Sequence, residues 1–254
     1  LIDNGLYRAL LPQSFGGSEV PLETFMQMQE EIAKADASAA WCLGQCSVCA
    51  MTAAYLDPDA ANEIFNVAPG ILAWGAINHE VQAVPGGYRA SARWDFASGS
   101  RQASWLGAHV RVVEADGTPR RKPDGAPEIR TILFPVTSAT MYDVWDVIGL
   151  RGTGSDTYAV EDLFVPDAFT VERDSDKDRR VDSQLYRFST THLYASGFAG
   201  VSLGIARGLL DAFVALARDK TPRGFTRTLR ESAVTQSRVA QAEAQLGAAR
   251  VYLL

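Results

Sequence analysis

Between positions 21 and about 68, side chains recur at three- and four-residue spacing. Leu22, Phe25, Met26, Gln29 and Ile32 share one face, the pattern of a helix that buries one side. Val20-Pro21 suits its start, with proline in the first turn. Asp36 and Ser38 break the pattern before a longer apolar helix predicted from Ala39 to Leu56, and Asp57-Pro58 offers an N-cap and first-turn proline for a third. At Ile71 the period falls to two. After the Pro85-Gly86-Gly87 turn, Tyr88, Ala90, Ala92, Trp94 and Phe96 alternate with polar or small neighbours, as in a strand with one buried face. Leu106 to Val113 and Ile129 to Val136 predict two more strands, joined by the polar loop Glu114 to Glu128, and Asp156 to Val165 predicts another that ends at Pro166. Helical spacing returns in Thr191 to Arg218, where Ala195, Gly197, Ala199, Gly200, Gly204 and Ala206 permit close helix approach. In Glu231 to Leu254, Val234, Ala240, Leu246 and Ala249 fall near one stripe.

The changes of period predict an α+β, multi-domain chain. A helical unit covers 1–69, a β-barrel or sandwich 70–171, a sign-alternating linker 172–183, and an incomplete helical bundle 184–254. The run from Glu172 to Asp182 reads most simply as solvated. The last helix has no cap or breaker before Leu254, so the sequence reads as a piece of a longer chain.

Composition narrows the function. With 254 residues, 47% of them hydrophobic, the chain can bury a substantial core, and a net charge of −6 without a basic stripe argues against a nucleic-acid partner. No stretch reads as approaching the roughly 18 to 20 apolar residues of a membrane span, and no signal peptide is evident, so a cytoplasmic location is expected. Cys42, Cys46 and Cys49 have the spacing of a radical-SAM cluster triplet. The continuous apolar helix around them and the lack of a following strand-helix barrel point instead to core or pocket thiols. His79, His109 and His192 lack ligand spacing, so no metal is expected. His109, between apolar strand positions, reads as a structural histidine.

Two glycine-rich segments carry the sharper signal: Trp94-Asp95-Phe96-Ala97-Ser98-Gly99-Ser100, and Gly149-Leu150-Arg151-Gly152-Thr153-Gly154-Ser155 followed by Phe164-Val165-Pro166. With Leu11-Pro12-Gln13-Ser14-Phe15-Gly16-Gly17, Leu185-Tyr186-Arg187 and Gly204 to Phe213, they resemble, in this order, the acyl-CoA dehydrogenase superfamily. The resemblance implies a helical, β, helical fold around a flavin. Two chemistries share that fold: dehydrogenation of acyl-CoA thioesters, and oxygen activation by monooxygenases that receive reduced flavin from a separate reductase. The Thr-Glu-Pro and Gly-Ser-Asp signature of the dehydrogenases is missing from Leu72 to Glu80, and Asp211 is the only acid between Gln184 and Ala215, well inside the helix. A dehydrogenase base would then lie beyond Leu254.

By resemblance to the monooxygenase branch, Ser98 is the catalytic residue expected at the flavin N5 edge, where oxygen activation needs a proton held and water excluded. The same resemblance implies that Trp74, Phe96, Ala97, Gly99, Arg151 and Arg223 bind FAD or FMN. Trp41, Cys49 and His79 would border the substrate. Arg223 with Phe225 is similar to an Arg-x-x-Phe element, shortened by one, that reaches a neighbouring subunit's flavin, and so implies a homotetramer. Phenol hydroxylases of this branch carry a histidine after Trp-x-Leu-Gly. Here Trp41-Cys42-Leu43-Gly44 is present, but Cys49 stands in its place, and a thiol is a poor base at neutral pH. The expected activity is monooxygenation of a small organic substrate, the alternatives being an acyl-CoA dehydrogenase and a non-catalytic relative that binds no flavin.

Overall fold

The computed structural model describes residues 1–76 and 79–254. Of the segment compared with the dehydrogenase signature, Ile77 and Asn78 lie outside the described residues.

Three helices open the chain. α1 (Leu22–Ala35) buries Phe25, Met26, Gln29, Glu30 and Ala33. α2 (Ala37–Ala50) is capped by Asp36, whose carboxylate accepts from the N–H groups of Ser38 and Ala39. The apolar run predicted as one helix to Leu56 changes at Met51 to a 3₁₀ turn. α3 (Pro58–Phe65) starts as expected, with Asp57 as cap and Pro58 in the first turn.

The central unit is one mixed sheet. β1 (Leu72–Trp74), β2 (His79–Val84), β3 (Gly87–Ala97), β4 (Trp105–Val113), β5 (Ile129–Pro135), β6 (Thr140–Tyr142), β7 (Asp156–Pro166) and β8 (Thr170–Val171) form it in the order β6-β7-β3-β2-β4-β5-β8, with β1 paired to β4. β1 and β2 both run parallel to β4, and the other pairs are antiparallel. A two-residue turn joins β2 to β3. Pro85 supplies the fixed φ and Gly86, at φ 80°, the left-handed position. One face closes over Trp94 and Tyr158, stacked at 5.4 Å, with Phe134 and the β-branched residues Val81, Val110, Val112 and Val160 around them.

Phe96 departs from the predicted alternation. The register of β3 against β7 shifts between Trp94 and Ala97, and Phe96 takes φ 60° and is 58% exposed. A bulge therefore turns an aromatic residue out of the strand, at a backbone cost that most residues avoid.

α4 (Thr190–Asp219) returns across α1, and α5 (Ala233–Leu253) packs on α4. The small residues of α4 are what allow the approach: Gly200 and Gly204 lie against the backbone carbonyls of Met26 and Glu30. Two expectations change here. α4 is long and apolar enough to cross a membrane by length and composition, with a mean hydropathy of 1.6. Its glycine stripe nonetheless faces α1, while Ile205, Leu209, Phe213 and Leu216 are exposed. The stripe of α5 buries no residue; that helix is tied down by ion pairs of Arg250 with Glu30 and of Glu243 with Arg207.

Candidate active site

The glycine-rich turn ends beside Ser98. Leu150 and Gly154 take left-handed conformations around a 3₁₀ turn at Arg151–Thr153, which carries Thr153 and Ser155 inward. A chain of hydroxyls results. Ser98 Oγ lies 2.7 Å from Ser155 Oγ, which lies 2.7 Å from Thr153 Oγ1, and Thr153 donates to the carbonyl of Leu150 at 3.0 Å. At the other end the indole N–H of Trp41 donates to Ser98 Oγ at 3.1 Å.

The two ends set the direction of every bond. A hydroxyl has one proton, and Thr153 spends its own on a carbonyl that can only accept. Ser155 must therefore donate to Thr153, and Ser98 to Ser155. Ser98 is left as an acceptor, with one lone pair taken by Trp41 and one free.

Asp156 anchors the turn. Its buried carboxylate accepts from Arg101 Nε at 2.6 Å and from the N–H groups of Val144 and Trp145. Burial alone would raise this carboxyl, but Arg101 and the two N–H groups outweigh it and hold it below the ordinary range. A depressed folded value contributes stability that is present above the unfolded value and is lost as pH falls through the folded one. Asp156→Asn should therefore lower the melting temperature at pH 7. The drop should shrink as pH falls below the usual aspartate value of about 3.9; melting curves across that range check it.

Next to this chain of hydroxyls opens a cleft of about 390 Å³, lined by Trp74, Gly75, Ala76, Phe96 and His109 from the sheet side and by Gln45, Thr191, Tyr194, Ala195 and Phe198 from the helices. Five of its described lining residues are aromatic rings, and none of the described ones is a carboxylate. Tyr158 fixes the sheet side from behind: its phenol accepts from Gly75 N–H and donates to the carbonyl of Gly107. Trp41 stacks on Phe198 at 4.3 Å, which links the hydroxyl chain to the helical wall.

Of the residues read from sequence, Trp74 and Phe96 line the cleft, while Ala97, Ser98 and Gly99 follow Phe96 at and just after the end of β3 and are not among its lining residues. Gly99, at φ 80°, packs so closely on α2 that a Cβ there would lie 2.5 Å from Cys46 Sγ. Arg151 is exposed on the turn, and Arg223 is exposed between α4 and α5, away from the lining. Of the three residues expected at the substrate, none is among those that line the cleft. Cys49 is buried behind Tyr194, 3.6 Å from its hydroxyl, and burial pushes its thiol up to about 12. Trp41 stands behind Phe198, and His79 packs edge-on against Trp94.

Sequence reasoning missed three groups. His109, read as structural, reaches the cleft because β4 presents it on the side of Trp74, to whose ring it stands edge-on at 4.9 Å. Burial, and then the neighbouring guanidinium of Arg173, push it down to about 3, so it is neutral at neutral pH. Tyr194 sits four residues before Phe198, one helical turn apart on the same face of α4. Arg173 turns inward out of a run read as solvated.

Residues 196–254 match the family described as acyl-CoA dehydrogenase, C-terminal domain. An indole-3-acetate monooxygenase of Pseudomonas putida is 31% identical over 251 residues, 98% of this chain and 62% of the relative. The oxygenase component of an FADH2-dependent resorcinol hydroxylase from a Rhizobium species is 29% identical, over 98% of this chain and 63% of its own. Among solved structures, XiaF from a Streptomyces species, in complex with FADH2 and glycerol, superposes with a TM-score of 0.87 at 25% identity, covering 99% of this chain and 64% of that one. A 3-HSA hydroxylase from a Rhodococcus species superposes with a TM-score of 0.86, also at 25% identity, covering 99% of this chain and 65% of its own. The chain has the acyl-CoA dehydrogenase fold that the sequence resemblance implied. The two curated relatives are named as a monooxygenase and an FADH2-dependent hydroxylase, and of the two solved structures one is a hydroxylase and the other holds FADH2. The chain spans about three fifths of the length of the curated relatives it matches.

Proposed function

We propose that the protein is the oxygenase component of a two-component flavin monooxygenase, which takes reduced FMN or FAD from a separate reductase and hydroxylates a small aromatic substrate. The observation that carries this reading is Ser98, held by its hydroxyl chain as an acceptor with one free lone pair beside an aromatic cleft. N5 of a reduced flavin bears a proton and N5 of an oxidised flavin does not, so an obligate acceptor fits the reduced form. Exposed Phe96, held out at a strained backbone position, gives a planar group a face to lie on.

Phe96, Ala97, Ser98, Gly99 and Trp74 would hold the ring system, and exposed Arg151 is the cation nearest in sequence to the hydroxyl chain for its phosphate. Bound reduced flavin would supply two electrons to O2, one oxygen atom entering the substrate and the other leaving as water. Ser98 would keep the N5 proton in place, and Trp41, Tyr194 and Phe198 would exclude water. Aromatic walls suit the substrates named for the relatives, indole-3-acetate and resorcinol. Exposed Arg223 would serve a neighbouring copy, so a homotetramer, together with a cytoplasmic location beside the reductase, belongs to the same proposal.

The reaction itself tests this. With reduced flavin, isotope-labelled O2 and indole or resorcinol, the product should carry one labelled oxygen. Bleaching of bound oxidised flavin by an acyl-CoA, with no labelled product, would support the dehydrogenase instead.

A further inference from the structure

Arg173 follows β8 in a run whose charges alternate, yet it is half-buried. It sits 5.0 Å from the ring centre of Trp74, its Nε donates to Thr131 Oγ1 at 2.9 Å, and its Nη2 lies 3.3 and 3.2 Å from the two ring nitrogens of His109. Trp74 and His109 both line the cleft, so this cation stands beside it, against two of its lining residues.

No carboxylate among the described residues pairs with it. The acids on either side are engaged elsewhere: Glu172 with Lys122, and Asp174 as acceptor from the N–H and hydroxyl of Thr190. Nη1 has no hydrogen-bond partner among the described residues. The neighbouring groups cannot supply the missing charge. His109 is neutral, and burial raises the Cys49 thiol and the Tyr194 phenol, leaving both protonated. A half-buried guanidinium without a counter-ion is costly, and its planar fork matches a carboxylate in geometry.

We infer that Arg173 is a carboxylate-recognition site beside the cleft, and that the substrate class is therefore the aromatic acids, with the ring held between Phe96, Tyr194 and Phe198 and the carboxylate reaching past His109 to Nη1. Treating the bound acid as substrate rests on the monooxygenase reading; the recognition of a carboxylate does not need flavin. Thr131 is the positioning residue, since it fixes Nε and so aims the fork.

The test is calorimetric, on the protein without flavin, with indole-3-acetate and its uncharged match indole-3-acetamide as probes. The acid should bind at least 10-fold more tightly than the amide. Arg173→Leu should erase that preference and leave amide binding unchanged, and Arg173→Lys should keep part of it. Equal or tighter binding of the amide by the unaltered protein would overturn the inference, and this arm holds even if the leucine variant fails to fold. A preference for the acid that survives in a folded Arg173→Leu protein would overturn it too. A clear acid preference in a protein that binds no flavin would support the site while contradicting the monooxygenase reading. Selective binding of reduced flavin with no acid preference would do the reverse.

Discussion

Exchanging Ser98 for alanine should weaken binding of reduced flavin by about 10-fold or more and leave oxidised flavin nearly unaffected. The reason is the direction of the hydroxyl chain. Ser98 gives its proton to Ser155, which gives its own to Thr153, whose proton rests on the Leu150 carbonyl. Only an incoming donor can use the free lone pair, and removing it leaves a buried N–H without a partner, a loss of about 1–3 kcal/mol. Thr153→Val separates this from a simple loss of contact. Without the threonine hydroxyl, Ser155 loses its acceptor, the remaining pair is free to reverse, and Ser98 gains the option of donating. The preference for reduced flavin should then narrow while Ser98 is still present. Anaerobic titration of both variants with each redox form of FMN and FAD measures this. A Ser98→Ala protein that keeps the full preference would remove Ser98 from the site.

Placing valine at Gly204 should destabilise the protein by about 3 kcal/mol, lowering its melting temperature by roughly 6–12 °C. A Cβ at this position would lie 2.3 Å from the carbonyl oxygen of Glu30 and 2.6 Å from Ala33 Cβ, both on α1. Neither neighbour is the free end of a flexible side chain, so the helices must part. α4 also carries Tyr194 and Phe198, and the aromatic wall of the cleft would move with it. Reduced flavin should therefore bind less well even at temperatures where the variant remains folded. Gly247→Ala is the control, since a Cβ there meets no atom within 4 Å; a melting curve for Gly204→Val that matches this control would show that the α1–α4 seam is looser than the distances imply.

The fold was legible where hydrophobic period and punctuation agree. Asp57-Pro58 capped α3, Pro85-Gly86 turned β2 into β3, and the glycines of Thr191 to Arg218 marked the seam of α4 with α1. It was less legible where a local feature overrode the period. Phe96 continues the alternation in the text, but a bulge turns it outward, and the stripe of α5 looks ordinary in sequence yet buries nothing.

The site was read in part. Ser98 and Phe96 stand in one short segment whose glycine betrays a turn. His109, Arg173 and Tyr194 come from β4, the segment after β8, and α4, and only the folded chain joins them. His109 carried a faint signal as a polar residue between buried Ala108 and Val110. Arg173 carried none, because one cation within a charged run looks like any other. Cys49 stands on the expected helix, and the contact of its thiol with Tyr194 of α4 is one that helical spacing cannot show.

Comparison of reduced with oxidised flavin binding to the unaltered protein, anaerobically and by titration, bears most directly on the central claim that Ser98 makes this a site for reduced flavin. The expected result is tight binding of reduced FMN or FAD, with the oxidised form at least 10-fold weaker. Equal affinity for the two forms, tighter binding of the oxidised one, or no binding of either would contradict it.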